Sequence, residues 1–253
     1  MIDIRPFNTL GGFKNDWLDA RHHFSFGSYR DAKRPGFGRL LVWNDDRIAA
    51  GTGFDPHPHK EMEIVTYVRA GAITHRDSLG NEGRTAAGDV QVMHAGTGIV
   101  HAEFNKEDVP TRLFQIWIMP DTPGAAPGWG MRRFPKDGDG TSATTTLTAP
   151  DLTAPALTAP ALIALADGRA GADGTALPLH ADAAVLAGTV RAGQTVRQVL
   201  GAGRIAYLVP ATGRVTVNGI AVDTRDGATI SGERELEITA SEDAELVMVD
   251  LAA

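Results

Sequence analysis

The chain has 253 residues, 43% of them hydrophobic and 22% charged, which supplies apolar surface for a packed core and excludes wholesale disorder. Its formal net charge of −7 comes without a Lys/Arg cluster able to displace counterions from a phosphate backbone, so direct nucleic-acid binding is excluded as a primary role. Cysteine is absent, which removes disulfides, thiolate nucleophiles, iron–sulfur clusters and Cys-rich zinc sites.

The opening Met1-Ile2-Asp3-Ile4-Arg5-Pro6-Phe7 lacks the apolar run of a signal peptide, and no stretch approaches the roughly 18–20 apolar residues of a membrane span. A soluble, cytoplasmic protein without membrane contact is expected. Short β-branched and aromatic runs follow: Arg39-Leu40-Leu41-Val42-Trp43, Glu63-Ile64-Val65-Thr66-Tyr67-Val68, Val90-Gln91-Val92-Met93 and Leu113-Phe114-Gln115-Ile116-Trp117-Ile118. Turn residues such as Asp77-Ser78-Leu79-Gly80-Asn81 and Ala87-Gly88-Asp89 separate them, a spacing that predicts an all-β sandwich or barrel. From Asp137 the chain turns to Gly, Asp, Thr, Ala and Pro. It contains the repeat Thr148-Ala149-Pro150-Asp151-Leu152, Thr153-Ala154-Pro155-Ala156-Leu157, Thr158-Ala159-Pro160-Ala161-Leu162. Proline at every fifth position breaks both helix and ladder, so an extended connection is expected. Strands then resume at Ala184–Val190, Ile205–Val209, Gly213–Gly219 and Glu245–Val249, with a hairpin signal at Val217-Asn218-Gly219-Ile220. The expected partition is residues 1–135, a connection over 136–177, and residues 178–253, with the N-terminal segment packing on the last.

The chemistry concentrates in the first half. His57-Pro58-His59 places two imidazoles at i and i+2, and His101-Ala102-Glu103 repeats the spacing with an imidazole and a carboxylate. On strands each pair points to one face. If the two strands are inward-facing neighbours, three nitrogens and one oxygen converge on a single divalent ion. Such a set suits zinc, iron, manganese, cobalt, nickel or copper. Four protein ligands on a six-coordinate metal leave two positions open, which implies chemistry rather than stapling. Turns at Gly51-Thr52-Gly53 and Ala95-Gly96-Thr97-Gly98 deliver the two pairs.

The strings Gly53-Phe54-Asp55-Pro56-His57-Pro58-His59-Lys60-Glu61-Met62-Glu63 and Gly88–Glu103 resemble the pirin family, as does Ala20-Arg21-His22-His23-Phe24-Ser25-Phe26-Gly27. The resemblance is specific from about Ile4 to Phe134 and general beyond it, and within the family it leans to the bacterial pirin-like quercetinases. It implies a bicupin: two antiparallel β-barrel (jelly-roll) domains with metal in the N-terminal one only. The implied ligands are His57, His59, His101 and Glu103, with iron the family's usual metal. The implied activity is a metal-dependent dioxygenase that cleaves the heterocyclic ring of a flavonol such as quercetin, using dioxygen. The alternative is a metal-bearing regulatory protein that acts through a protein partner. The Thr-Ala-Pro insert departs from the family pattern.

Other residues carry narrower expectations. Glu103 is read as a ligand at rest and a general base in turnover. Glu63, in strand parity with the histidines, is read as a carboxylate holding an imidazole N–H, and Glu61 as a rim acid. His75 reads as a hydrogen-bonded strand-end residue, His94 as a turn histidine, and His22 and His23 as part of a packing motif. His180 stands alone in the second domain, which has no His-x-His and is expected to be metal-free. Phe54, Met62, Tyr67, Met93, Phe114 and Trp117 are candidates for an aromatic-friendly pocket, with barrel core the favoured reading for most.

Overall fold

The apolar runs alternate poorly because both of their faces are covered. In the strand Glu63–Ala70, Val65 and Tyr67 face one way and Ile64, Thr66 and Val68 the other, and all five are buried. The structure, a computed structural model, describes residues 1–133 and 160–253. Among these residues the regular elements are strands, apart from a 3-10 turn at Phe7–Thr9, and no helix is long and apolar enough to cross a membrane.

A seven-stranded sheet runs in the order Gly128–Arg133, Asp89–His94, Glu63–Ala70, Thr111–Ile118, Leu40–Ile48, Leu18–His22, Gly11–Lys14. A four-stranded sheet, Gly53–His59, Ile99–Phe104, Ala72–Asp77, Glu82–Ala86, closes the first barrel against it. The second barrel repeats the plan. Its seven-stranded sheet is Ile2–Arg5, Gly227–Ser231, Arg204–Thr212, Ala244–Ala252, Ala183–Val190, Ile163–Asp167, Leu177–Pro178, and its four-stranded sheet is Thr195–Val199, Glu235–Ala240, Val215–Val217, Ile220–Val222. The chain is thus an all-β bicupin. The hairpin at Asn218-Gly219 has φ of 48° and 79° at its two central residues, the left-handed pair that a type I′ turn requires.

The connection expected over 136–177 ends sooner than that range. Ile163–Asp167 pairs antiparallel with Ala183–Val190 inside the second sheet, and Leu177–Pro178 pairs with it in parallel. The Ile163-Ala164-Leu165-Ala166-Asp167 run has weak strand propensity, and its burial between neighbours decides the outcome. The Thr-Ala-Pro repeat lies outside the described residues as far as residue 159.

The two seven-stranded sheets share one core. Trp43, Tyr67, Phe114 and Ile116 of the first unit pack with Tyr207, Val209, Val247 and Val249 of the second. Trp43 and Tyr207 are fully buried with ring centroids 5.5 Å apart, and each such side chain contributes about 1.5–3 kcal/mol through burial. The barrel interiors differ. Aliphatic side chains such as Val196, Leu208, Ile230, Leu236, Ile238 and Met248 fill the second, whereas Thr66, Gln91, Gln115, His75 and Glu103 lie buried within the first.

A charged clamp crosses the shared face. The Asp45 carboxylate, 1% exposed, accepts from Arg69 of the first unit and Arg225 of the second. Arg69 lies 4.3 Å over the Phe114 ring, away from bulk water. Asp45→Ala leaves the Arg69 guanidinium without its nearest counter-charge, and the expected loss is about 3–5 kcal/mol. Arg225→Ala removes the more exposed partner and should cost less; urea unfolding of the two variants checks the order.

Candidate metal centre

His57 and His59 lie on the edge strand of the four-stranded sheet, where Pro56 and Pro58 are tolerated because one side of the strand has no ladder to feed. Gly53 opens this strand where a Cβ would collide with the backbone of Glu103 and Phe104. In the register His57 stands opposite His101, with a shift in pairing between His101 and Glu103. The rings converge: centroids are 4.8 Å apart for His57–His59, 4.5 Å for His57–His101 and 4.9 Å for His59–His101, with one nitrogen from each inside 4.8 Å of the others. His57 and His59 are half-buried, so the cluster has a way out to solvent.

The hydrogen-bond network assigns the tautomers. His57 Nδ1 donates to the Asp55 carbonyl at 2.7 Å, which leaves its Nε2 as a bare lone pair. On the other side, His75 Nε2 donates to Asp77 Oδ2 at 3.0 Å, so His75 Nδ1 accepts from His101 Nδ1 at 3.4 Å. That leaves His101 Nε2 bare as well, and the two Nε2 atoms face one another at 3.1 Å. Two lone pairs so placed repel unless a cation lies between them. Two metal–nitrogen bonds of about 2.1 Å at roughly a right angle span about 3.0 Å, so the donors fit a first-row divalent ion.

Two of the three rings are also in the protonation state that coordination would need. Burial, then the nearby rings of His57 and His59, hold His101 down to about 2, and burial, then His57, hold His59 to about 4. Both are neutral imidazoles at physiological pH, as coordination requires.

Glu103 belongs to a second group around His101, with His75, rather than to the three-imidazole group. Its fully buried carboxylate is already engaged: Gln91 Nε2 donates to Oε1 and Gln115 Nε2 to Oε2, both at 2.7 Å, and Thr66 Oγ1 donates to Oε1 at 3.4 Å. Burial pushes the carboxyl up, against an opposing pull from His75 and Gln115. The expected convergence of four donors is therefore three imidazoles with a carboxylate fixed beside His101 by amide donors.

The remaining expectations sort by place. His75 is buried within the strand Ala72–Asp77 and stacks on Trp129, its ring 4.9 Å away at 7°. Hydrogen bonds from His75, Asn81 and Leu79 overcome the effect of burial and hold Asp77 below the usual carboxylate range. Glu63 does hold an imidazole, but that of His94, at 2.6 Å, in a different sheet from His57, His59 and His101. Glu61 accepts from the Gly124 amide. His22 and His23 are packing residues, bonded at 2.8 Å to Asn44 Oδ1 and to the Tyr207 hydroxyl. Of the aromatic candidates, Tyr67 and Phe114 are core, whereas Trp117 meets His59 edge-on at 4.9 Å and Phe54 lies 6.2 Å from His57. Sequence reading passed over Gln91, Gln115 and Thr66. Their signal was a polar residue between apolar neighbours of the same strand face, as Thr66 between Ile64 and Val68 and Gln115 between Leu113 and Trp117. It also passed over the His75-x-Asp77 spacing, which mirrors His101-x-Glu103.

Residues 4–118 match the family model described as Pirin, and residues 162–251 match one described as a quercetinase C-terminal cupin domain. The chain is 53% identical to a pirin-like protein of Caulobacter vibrioides over the full length of both. The chain belongs to the pirin family. It is also 37% identical to the quercetin 2,3-dioxygenase of Escherichia coli, with 99% of each chain covered. The solved structure of the E. coli bacterial pirin YhhW in complex with nickel(II) is similar at a TM-score of 0.86 and 36% identity, covering 100% of this chain and 99% of that one.

In this pirin the Asp77–His75 pair is what orients His101. His75→Phe keeps the stacking on Trp129 but removes the acceptor for His101 Nδ1. The expected result is metal binding weakened about 10–100-fold with an unchanged circular dichroism spectrum, measured by competition against a chromophoric chelator.

Proposed function

We propose that this pirin is a metal-dependent dioxygenase that opens the heterocyclic ring of flavonols such as quercetin, with its metal in the first barrel on His57, His59 and His101, and on Glu103 once its carboxylate turns from its amide donors toward the three rings. The observation that carries the reading is the pair of bare Nε2 lone pairs of His57 and His101 opposed at 3.1 Å, with the buried Glu103 carboxylate beside His101. The relatives named quercetin 2,3-dioxygenase support the substrate class, and the imidazole–carboxylate donor set suits iron, the family's usual metal, as well as nickel.

When bound, the ion supplies Lewis-acid and redox chemistry to a flavonol hydroxyl and to dioxygen. The chain's residues do the rest. Trp117 and Phe54 beside the histidines offer aromatic walls to a flat polycyclic substrate. Glu103 takes the hydroxyl proton, its two oxygens aimed by Gln91 and Gln115. Dioxygen is added to the ring, one ring carbon leaves as carbon monoxide, and the product is a depside. The surrounding β-barrel keeps bulk water from the reacting centre.

The test is aerobic incubation of metal-loaded protein with quercetin, following loss of its visible absorbance. His101→Ala should abolish the loss. Glu103→Gln should keep most of the metal while turnover falls about 10²–10⁴-fold. Absence of any metal-dependent loss in the wild type would overturn the enzymatic reading in favour of a metal-bearing regulator with a protein partner.

A further inference from the structure

A second group of donors lies where the two barrels meet, two of them on the seven-stranded sheet rather than on the four-stranded sheet that carries His57, His59 and His101. Glu63 opens its strand directly opposite His94, which ends the neighbouring one, and His180 arrives from the second unit. One donor atom from each lies within 4.8 Å of those of the other two. Glu63 is 1% exposed and His180 is 43% exposed at its side chain, so the carboxylate is buried and the last imidazole opens to solvent.

The arrangement is built rather than incidental. Glu63 Oε2 accepts from His94 Nδ1 at 2.6 Å and from the His180 backbone N–H at 3.1 Å, and the His180 carbonyl accepts in turn from the Asp121 backbone N–H at 2.9 Å. His180 is thereby anchored with its Nδ1 3.6 Å from Glu63 Oε1, too far for a hydrogen bond. It is close to the roughly 3.3 Å that two bonds of about 2.0–2.1 Å subtend at a tetrahedral centre. The His94 and His180 rings are 4.5 Å apart, the same spacing as His57 and His101 in the first site. Beside them opens a cavity of about 480 Å³, lined by His180, Asp121, Thr122, Gly124 and Gly168 among others.

We infer that Glu63, His94 and His180 form a second divalent-cation site, of the zinc class, that joins the two barrels and keeps its remaining position open to the adjoining cavity. Two imidazoles and one carboxylate are a zinc donor set, and three protein ligands with an open fourth position is the pattern of sites that bind a water or a further ligand. To ligate through Nδ1, His94 gives up the N–H it donates to Glu63 and carries its proton on Nε2 instead. The inference stands apart from the dioxygenase reading, since none of the three residues belongs to the first site.

The test uses the full chain in a His57→Ala/His59→Ala background, so that the first site contributes no zinc whatever its role. After chelation, reloading with Zn²⁺ and gel filtration, elemental analysis should find one zinc per chain, and Zn²⁺ should raise the melting temperature. Adding His180→Ala, a partly exposed position whose loss leaves the fold intact, should reduce the zinc to none and remove the thermal shift. His94→Gln is a second variant that should behave alike. No zinc in the double-variant background, or zinc that persists undiminished after His180→Ala, overturns the inference.

Discussion

Two imidazole nitrogens, each stripped of its proton by the hydrogen bond on the far side of its ring, face each other inside the first barrel. Everything else in the site answers to that opposition. The Asp55 carbonyl fixes one ring and the Asp77–His75 pair fixes the other, so the chain has committed both lone pairs to the same point. A proton is a poor occupant of that point, because burial and two neighbouring rings depress the basicity of His101. A divalent ion gains from both nitrogens at once. The geometry is therefore a preorganised receptor, and its cost is carried by the fold.

The fold can carry it because stability is located elsewhere. The two seven-stranded sheets bury their large aromatic and branched side chains against each other, and the second barrel fills its interior with aliphatics. The first barrel is then free to hold Thr66, Gln91, Gln115, His75 and Glu103 in its interior without being the protein's main source of hydrophobic stabilisation. One barrel plan, used twice in one chain, thus divides into a polar chamber and a structural support. The edge position of Gly53–His59 adds to this, since a strand with one free side can present His57 and His59 to incoming molecules.

Strand parity pointed to the convergence of His57, His59 and His101, because the period of two is a local property of an extended chain, whereas Glu103 falls beside His101 rather than among the three rings. The same argument misled for Glu63. It assumes an unbroken strand, but the strand stops at His59 and Glu61 has φ of 50°, so Glu63 restarts in another sheet and faces another neighbour. The strand Ile163–Asp167 was illegible for a different reason, its alanines becoming strand only through partners far along the chain. His75 was visible as a residue and invisible as a relay, since its importance comes from Glu103 standing opposite it and His101 standing opposite Asp77 on the paired strand. Non-local pairing supplies what local pattern cannot.

The treatment of Glu103 shows how finely such pairing is used. Trp117 Nε1 is a donor only, so Gln115 must turn its oxygen toward it at 3.2 Å and its amide nitrogen toward Glu103. Thr85 Oγ1 does the same for Gln91, donating to its oxygen at 2.9 Å. The carboxylate is thus gripped on both oxygens by neutral groups whose orientation is itself fixed. Had an arginine or lysine done the gripping, its charge would have favoured the ionised form and left a weak base. Amide donors bring no net charge; burial pushes the proton affinity of Glu103 up and outweighs their hydrogen bonds, which still pull it down.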